Sequence, residues 1–96
     1  MKAYWMTFYR SISDPEALAA YAALAVPAIE AGGGRILARG VAAQVYEAGI
    51  RQRTVLVEFD SLERAKTTYE SPAYQAAVAK LGGAVERDLR LIEGLI

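Results

Sequence analysis

The chain has 96 residues, enough for one domain with one core. Apolar residues make up 54% and charged residues 23%, the balance of a globular protein, and eleven basic residues offset eleven acidic ones. Lys and Arg are scattered among acids, which excludes a basic nucleic-acid stripe. The chain has no Cys and no His, so disulfides, thiolate sites, cysteine nucleophiles and the commonest general base and metal ligand are all missing.

Met1-Lys2-Ala3-Tyr4-Trp5-Met6 starts directly as a strand pattern, not as a basic leader followed by an apolar signal core. No run is long and apolar enough for a membrane-spanning helix, and a cytoplasmic location is the default expectation. From Ala3 to Arg10 two sets alternate: Tyr4, Met6 and Phe8 on one face, Trp5, Thr7 and Tyr9 on the other. Aromatic enrichment makes this the first strand. Ser13-Asp14-Pro15-Glu16 predicts a helix start, with Asp14 as cap, Pro15 in the first turn and Glu16 at the positive end of the dipole. Ala17, Leu18, Tyr21, Leu24, Ala25 and Ala28 recur at helical spacing. Pro27 is expected to kink the helix or force an irregular turn, and Gly32-Gly33-Gly34 ends it.

Arg35 to Gly40 reads as a second strand that resumes at Gln44 to Glu47, with a turn at Ala48-Gly49-Ile50. Arg53 to Phe59 is the third strand. Ser61 caps a second helix that places Leu62, Ala65, Lys66 and Tyr69 on one side. Pro72 opens a third helix running to about Leu81, stopped by Gly82-Gly83. Arg87 to Glu93 is the last strand. The order β-α-β-β-α-β, with its second helix broken in two, predicts an α+β ferredoxin-like domain over residues 1–96: a four-stranded antiparallel sheet with its helices on one face.

Helices cover one face only, yet the strands are apolar on both. Met6 and Phe8 oppose Trp5 and Tyr9; Val55, Val57 and Phe59 oppose Leu56. A bare apolar face is an unusually large exposed patch, and a second copy related by a two-fold axis is its simplest cover. The expectation is a homodimer joined through the sheet face, with Trp5 packed at that interface.

Few residues carry candidate chemistry. Arg39, between Ala38 and Gly40, has room to clamp a carboxylate; its structural alternative is an ion pair with Glu58 or Glu47. Glu58 interrupts the apolar third strand and is a candidate base if buried, or else a partner for Arg39, Arg87 or Arg90. Tyr21, Tyr69 and Tyr74 face the sheet from the helices and can line a pocket or simply pack their rings. The glycines at 32–34 follow a helix instead of preceding one, which suits a helix exit better than a phosphate loop. Asp14, Asp60 and Glu63 read as caps and first-turn residues, so no metal site is expected. Without His, no Ser-His-Asp triad can be built.

Gly33-Gly34-Arg35-Ile36-Leu37-Ala38-Arg39-Gly40, Glu58-Phe59-Asp60-Ser61-Leu62-Glu63-Arg64-Ala65, Tyr69-Glu70-Ser71-Pro72-Ala73-Tyr74-Gln75 and Glu93-Gly94, in this order, together with Asp14-Pro15-Glu16 and Tyr21, resemble the domain of unknown function 1330 family. The resemblance spans nearly the whole chain. It implies the dimeric α/β barrel superfamily and no established activity. That superfamily includes haem-degrading and cofactor-free monooxygenases, isomerases and dehydratases; histidine-dependent mechanisms do not carry over to a chain without His. It also implies a ligand held between helices and sheet, which singles out Arg39, Tyr21, Tyr69 and Tyr74. Three readings remain open: a homodimer binding a small anionic or aromatic molecule without a cofactor, a cofactor-free monooxygenase or isomerase, and a dimeric association module with no ligand.

Overall fold

A computed structural model describes residues 1–96. Seven elements follow one another: β1 (Ala3–Ile12), α1 (Pro15–Ala31), β2 (Arg35–Val41), β3 (Arg53–Phe59), α2 (Leu62–Glu70), α3 (Pro72–Ala79) and β4 (Val85–Glu93). The sheet order is β2-β3-β1-β4 and every neighbouring pair is antiparallel. This is the predicted β-α-β-β-α-β fold, with the helices on one face. The molecule measures 34 × 33 × 16 Å. Its short dimension accommodates one sheet and one helix layer, so the second sheet face is open.

The helix starts follow their caps. The Asp14 carboxylate accepts from the N–H groups of Glu16 (3.0 Å) and Ala17 (3.3 Å). Ser61 Oγ accepts from Arg64 N–H at 3.2 Å. Ser71 ends α2 and starts α3: its Oγ donates to Thr68 O at 2.7 Å and accepts from Tyr74 N–H at 3.2 Å. Pro72 then takes the first helical position, where its missing N–H costs nothing. The Ser-Pro break thus turns the chain while satisfying the polar groups at both helix ends.

α1 runs unbroken through Pro27 to Ala31, with Pro27 on its exposed side, so no irregular turn forms there. Gln44 to Glu47 is not a strand: β2 ends at Val41, and Glu47 adopts the left-handed conformation (φ 53°) beside the expected Ala48-Gly49 turn. The glycine exit from α1 holds. Gly33 is left-handed (φ 93°), and a side chain on Gly34 would collide with Phe59 and Ile29.

The core lies between the sheet and the helices. Trp5, Tyr74, Phe59 and Val57 are its largest fully buried side chains. Trp5 stacks on Phe59 (centroids 5.9 Å apart, planes at 19°) and meets the edge of Tyr74 (4.8 Å, 85°). Its indole N–H donates to Thr7 Oγ1 at 3.1 Å. Trp5 is therefore a core residue and not an interface residue. Residues two apart share a strand face, so Ala3, Trp5, Thr7 and Tyr9 all turn toward the helices. Tyr4, Met6 and Phe8 turn the other way, with Leu56 and Ile92 of the neighbouring strands. Phe8 and Ile92 remain 38% and 54% exposed.

Candidate functional site

Two irregularities in the sheet decide which side chains face α1. In β2 the register slips between Ile36, opposite Val57, and Ala38, opposite Leu56, so that Arg39 lies opposite Val55. Strict alternation from Ile36 would send Arg39 to the open face; the extra residue, Leu37, returns it to the helix-facing row. In β1 the register slips between Tyr9 and Ser11, immediately after Tyr9 has paired with Arg87 of β4.

Tyr9 and Arg87 meet two helical tyrosines above them. Tyr21 of α1 and Tyr74 of α3 bring their hydroxyls to 2.5 Å. Arg87 Nη1 donates to Tyr21 Oη at 3.1 Å and to Tyr9 Oη at 3.4 Å, and Nη2 donates to Tyr74 Oη at 3.2 Å. The guanidinium also lies 4.9 Å from the Tyr21 ring centroid and 5.8 Å from that of Tyr9. Burial pushes the Tyr74 phenol far above its ordinary pKa, and burial raises Tyr9 as well, Arg87 opposing in both cases. Burial works against the charge on Arg87, but the Tyr21 and Tyr74 oxygens outweigh it and raise its pKa. At neutral pH Tyr9 and Tyr74 are uncharged, so neither supplies a counter-charge to Arg87.

Arg53 approaches from the other side. Its guanidinium carbon is 5.9 Å from the Tyr9 centroid, and its Nε is buried with no hydrogen-bond partner. Arg53 and Arg87 are the only half-buried arginines of the chain. Neither has a carboxylate within 4.0 Å, whereas Arg10, Arg35 and Arg90 on the surface all do. A crevice of about 30 Å³ runs between α1 and the β2–β3 side of the sheet. Tyr9, Tyr21, Ala25, Arg39, Arg53 and Val55 are among its walls. It has room for about two waters. It adjoins a wider surface hollow of about 370 Å³ that shares Val26, Ile36 and Arg39 with it.

Three of the five sequence candidates meet here. Tyr21 and Tyr74 are hydrogen-bonded, and Arg39 sits at the crevice mouth, without the ion pair to Glu58 or Glu47. Tyr69 instead joins the Trp5 cluster (centroids 5.6 Å apart) and borders a separate hollow with Leu89 and Leu91. Glu58 lies on the open face. It accepts from Arg35 at 3.1 Å and from Tyr4 Oη at 3.1 Å, not from Arg39, Arg87 or Arg90. Sequence reasoning named Arg87 only as a partner for Glu58 and gave Tyr9 and Arg53 no place in a site. A signal for them existed: each continues a helix-facing apolar alternation, Tyr9 after Trp5 and Thr7, Arg53 before Val55 and Val57, Arg87 before Leu89 and Leu91.

The model of the family described as domain of unknown function (DUF1330) matches residues 2–95, and the chain belongs to that family. No curated protein matches it. Among solved structures, a protein of unknown function from Rhodopseudomonas palustris is 19% identical with a TM-score of 0.74, covering 99% of this chain and 83% of that one. A dimeric ferredoxin-like protein of unknown function from Jannaschia sp. CCS1 is 15% identical, TM-score 0.69, covering 98% and 100%. A mutant of SnoaB, a cofactor-independent oxygenase from Streptomyces nogalater, is 7% identical, TM-score 0.68, covering 99% and 94%. These likenesses establish a shared ferredoxin-like fold.

Proposed function

We propose that this member of the DUF1330 family is a homodimer, joined through the open sheet face, that binds a small anionic or aromatic organic molecule between α1 and the sheet. One observation carries the ligand reading. Arg53 and Arg87 are the two arginines that are both half-buried and without a carboxylate; Arg39, Arg51 and Arg64 also lack one but are exposed to water. A charge withdrawn from water is normally paired. Here Arg53 and Arg87 flank Tyr9, Arg39 lines the same crevice, and none of the three has a carboxylate within 4.0 Å. An anionic ligand supplies the missing charge. Its charged end suits the narrow crevice, and its body extends over Val26 and Ile36 into the adjoining hollow, which Glu30 and Arg39 also line.

The dimer reading rests on Phe8 and Ile92, exposed beside Met6 and Leu56, and on the dimeric state of the Jannaschia relative. The enzyme alternative has no comparable support in the site. Glu58 is across the sheet in an ion pair, and Tyr9 and Tyr74 hold their protons too tightly to act as bases near neutral pH.

Thermal-shift titration with benzoate, phenylacetate and simple phenols tests the ligand reading. Saturation of the site at about 100 times Kd adds about 2.7 kcal/mol to the stability. The gain is expected to be smaller in Arg39→Ala and Arg53→Met. Absence of stabilisation by any of these compounds refutes the reading.

A further inference from the structure

Hydrogen-bond accounting shows how the cluster is polarised. Three phenols bring three O–H hydrogens, and the Tyr21–Tyr74 contact uses one. Arg87 cannot take another, because a guanidinium has no acceptor. Tyr9 Oη accepts from Arg87 and donates to nothing in the protein. Of Tyr21 and Tyr74, whichever accepts the shared hydrogen keeps its own unused. Tyr74 is completely buried, whereas Tyr21 retains 8% exposure and lines the crevice. The arrangement without a fully buried idle donor has Tyr74 donating to Tyr21 and leaves the Tyr21 hydrogen free. The unpartnered Nε–H of Arg53 stands close by, within the side chain that flanks Tyr9. Donors therefore exceed acceptors around the two tyrosines shared by the cluster and the crevice.

We infer that Tyr9, Tyr21 and Arg53 form a donor-rich anchor for the oxyanion end of the ligand, so that the site takes weak oxyacids, carboxylic acids and acidic phenols, as their conjugate bases. The inference rests on the ligand reading above and narrows it to one chemical class. Three donors satisfy the several lone pairs of an oxyanion, and the uncompensated guanidiniums of Arg53 and Arg87 favour its charge. A neutral alcohol or amine would bring a further donor, with only the remaining lone pair of Tyr9 Oη to receive it, and no charge to offset the guanidiniums. The proton that a bound phenol gives up passes to the buffer. Arg87 acts here as a positioning residue: it holds the three phenol oxygens and leaves the contact to Tyr9, Tyr21 and Arg53.

The test uses the full chain and para-nitrophenol, whose ionised form absorbs visible light. A pH titration of the bound dye is expected to show ionisation at least about one pH unit below that of the free dye, a tenfold preference for the anion. Benzoate is expected to bind at least about tenfold more tightly than benzamide. Tyr9→Phe and Arg53→Met, confirmed as folded by circular dichroism, each reduce the shift; should either fail to fold, the wild-type titration still decides. A bound dye that ionises as it does free in solution, with benzoate still stabilising the protein, overturns the anchor and leaves the ligand reading standing. If neither benzoate nor the dye binds, both fall together.

Discussion

The two faces of the sheet treat charge in opposite ways. On the open face cations stand beside acids: Arg35 contacts Glu58 and Asp60, both at 3.0 Å, Lys2 contacts Asp60 at 2.8 Å, and Arg90 contacts Asp88 at 2.7 Å. These pairs sit in water, where pairing matters least. Under α1, where an isolated charge costs most, Arg53 and Arg87 have only phenol rings and phenol oxygens. The open face is neutralised and apolar enough to meet another sheet, while the covered face keeps positive charge in reserve.

Breaking the contrast begins with the largest effect. Trp5→Ala removes the centre of the aromatic core and is expected to cost about 3–5 kcal/mol in urea unfolding. A cost below about 1 kcal/mol would remove Trp5 from the core. Phe8, three positions along the same strand and facing the other way, probes association instead. Phe8→Asp is expected to weaken the proposed dimer by about 100-fold in sedimentation equilibrium, the scale of losing a central hot-spot residue. An unchanged association constant places the dimer contact elsewhere.

The smallest effects are in the pH dependence, where the two faces separate again. Lys2 and then Arg35 hold the Asp60 carboxyl below its ordinary 3.8, and Arg90 does the same for Asp88. That contribution is present above pH 3.8 and is lost as pH falls through the depressed values. Burial raises Tyr9 and Tyr74 above 10.0. Their contribution is intact below pH 10 and is lost as pH rises beyond it, because the unfolded phenols ionise first. Thermal melts across pH are expected to show an acid limb that flattens in Asp60→Asn and an alkaline limb that flattens in Tyr74→Phe. If Tyr74→Phe leaves the alkaline limb unchanged, the cluster is not its source.

Much of the fold was legible because its signals are local. Asp14, Ser61 and Ser71 each contact the backbone two or three residues on, so a short window of sequence suffices to place three helix starts. Alternation in β1 and β3 likewise needs only neighbouring residues. Alternation does not say which of its two sets the helices cover, and Trp5 was accordingly misplaced at the interface. The site was legible in part. Tyr21 and Tyr74 follow from helical spacing, but their contact joins residues 53 positions apart. Arg87 and Tyr9 are 78 apart, and only strand pairing makes them neighbours.

By itself, then, the sequence determined the element order, the ferredoxin-like class, the caps and the absence of histidine and thiol chemistry, since each depends on residue type and short spacing. Tertiary structure alone decided the faces. An extra residue at Leu37 carried Arg39 back beneath α1, and the β1–β3 pairing put Glu58 beside Tyr4 on the opposite surface. The packing of α1 and α3 on the sheet closed three tyrosines around Arg87. Register is a property of pairs of strands, and a shift of one residue exchanges every side chain between the two faces.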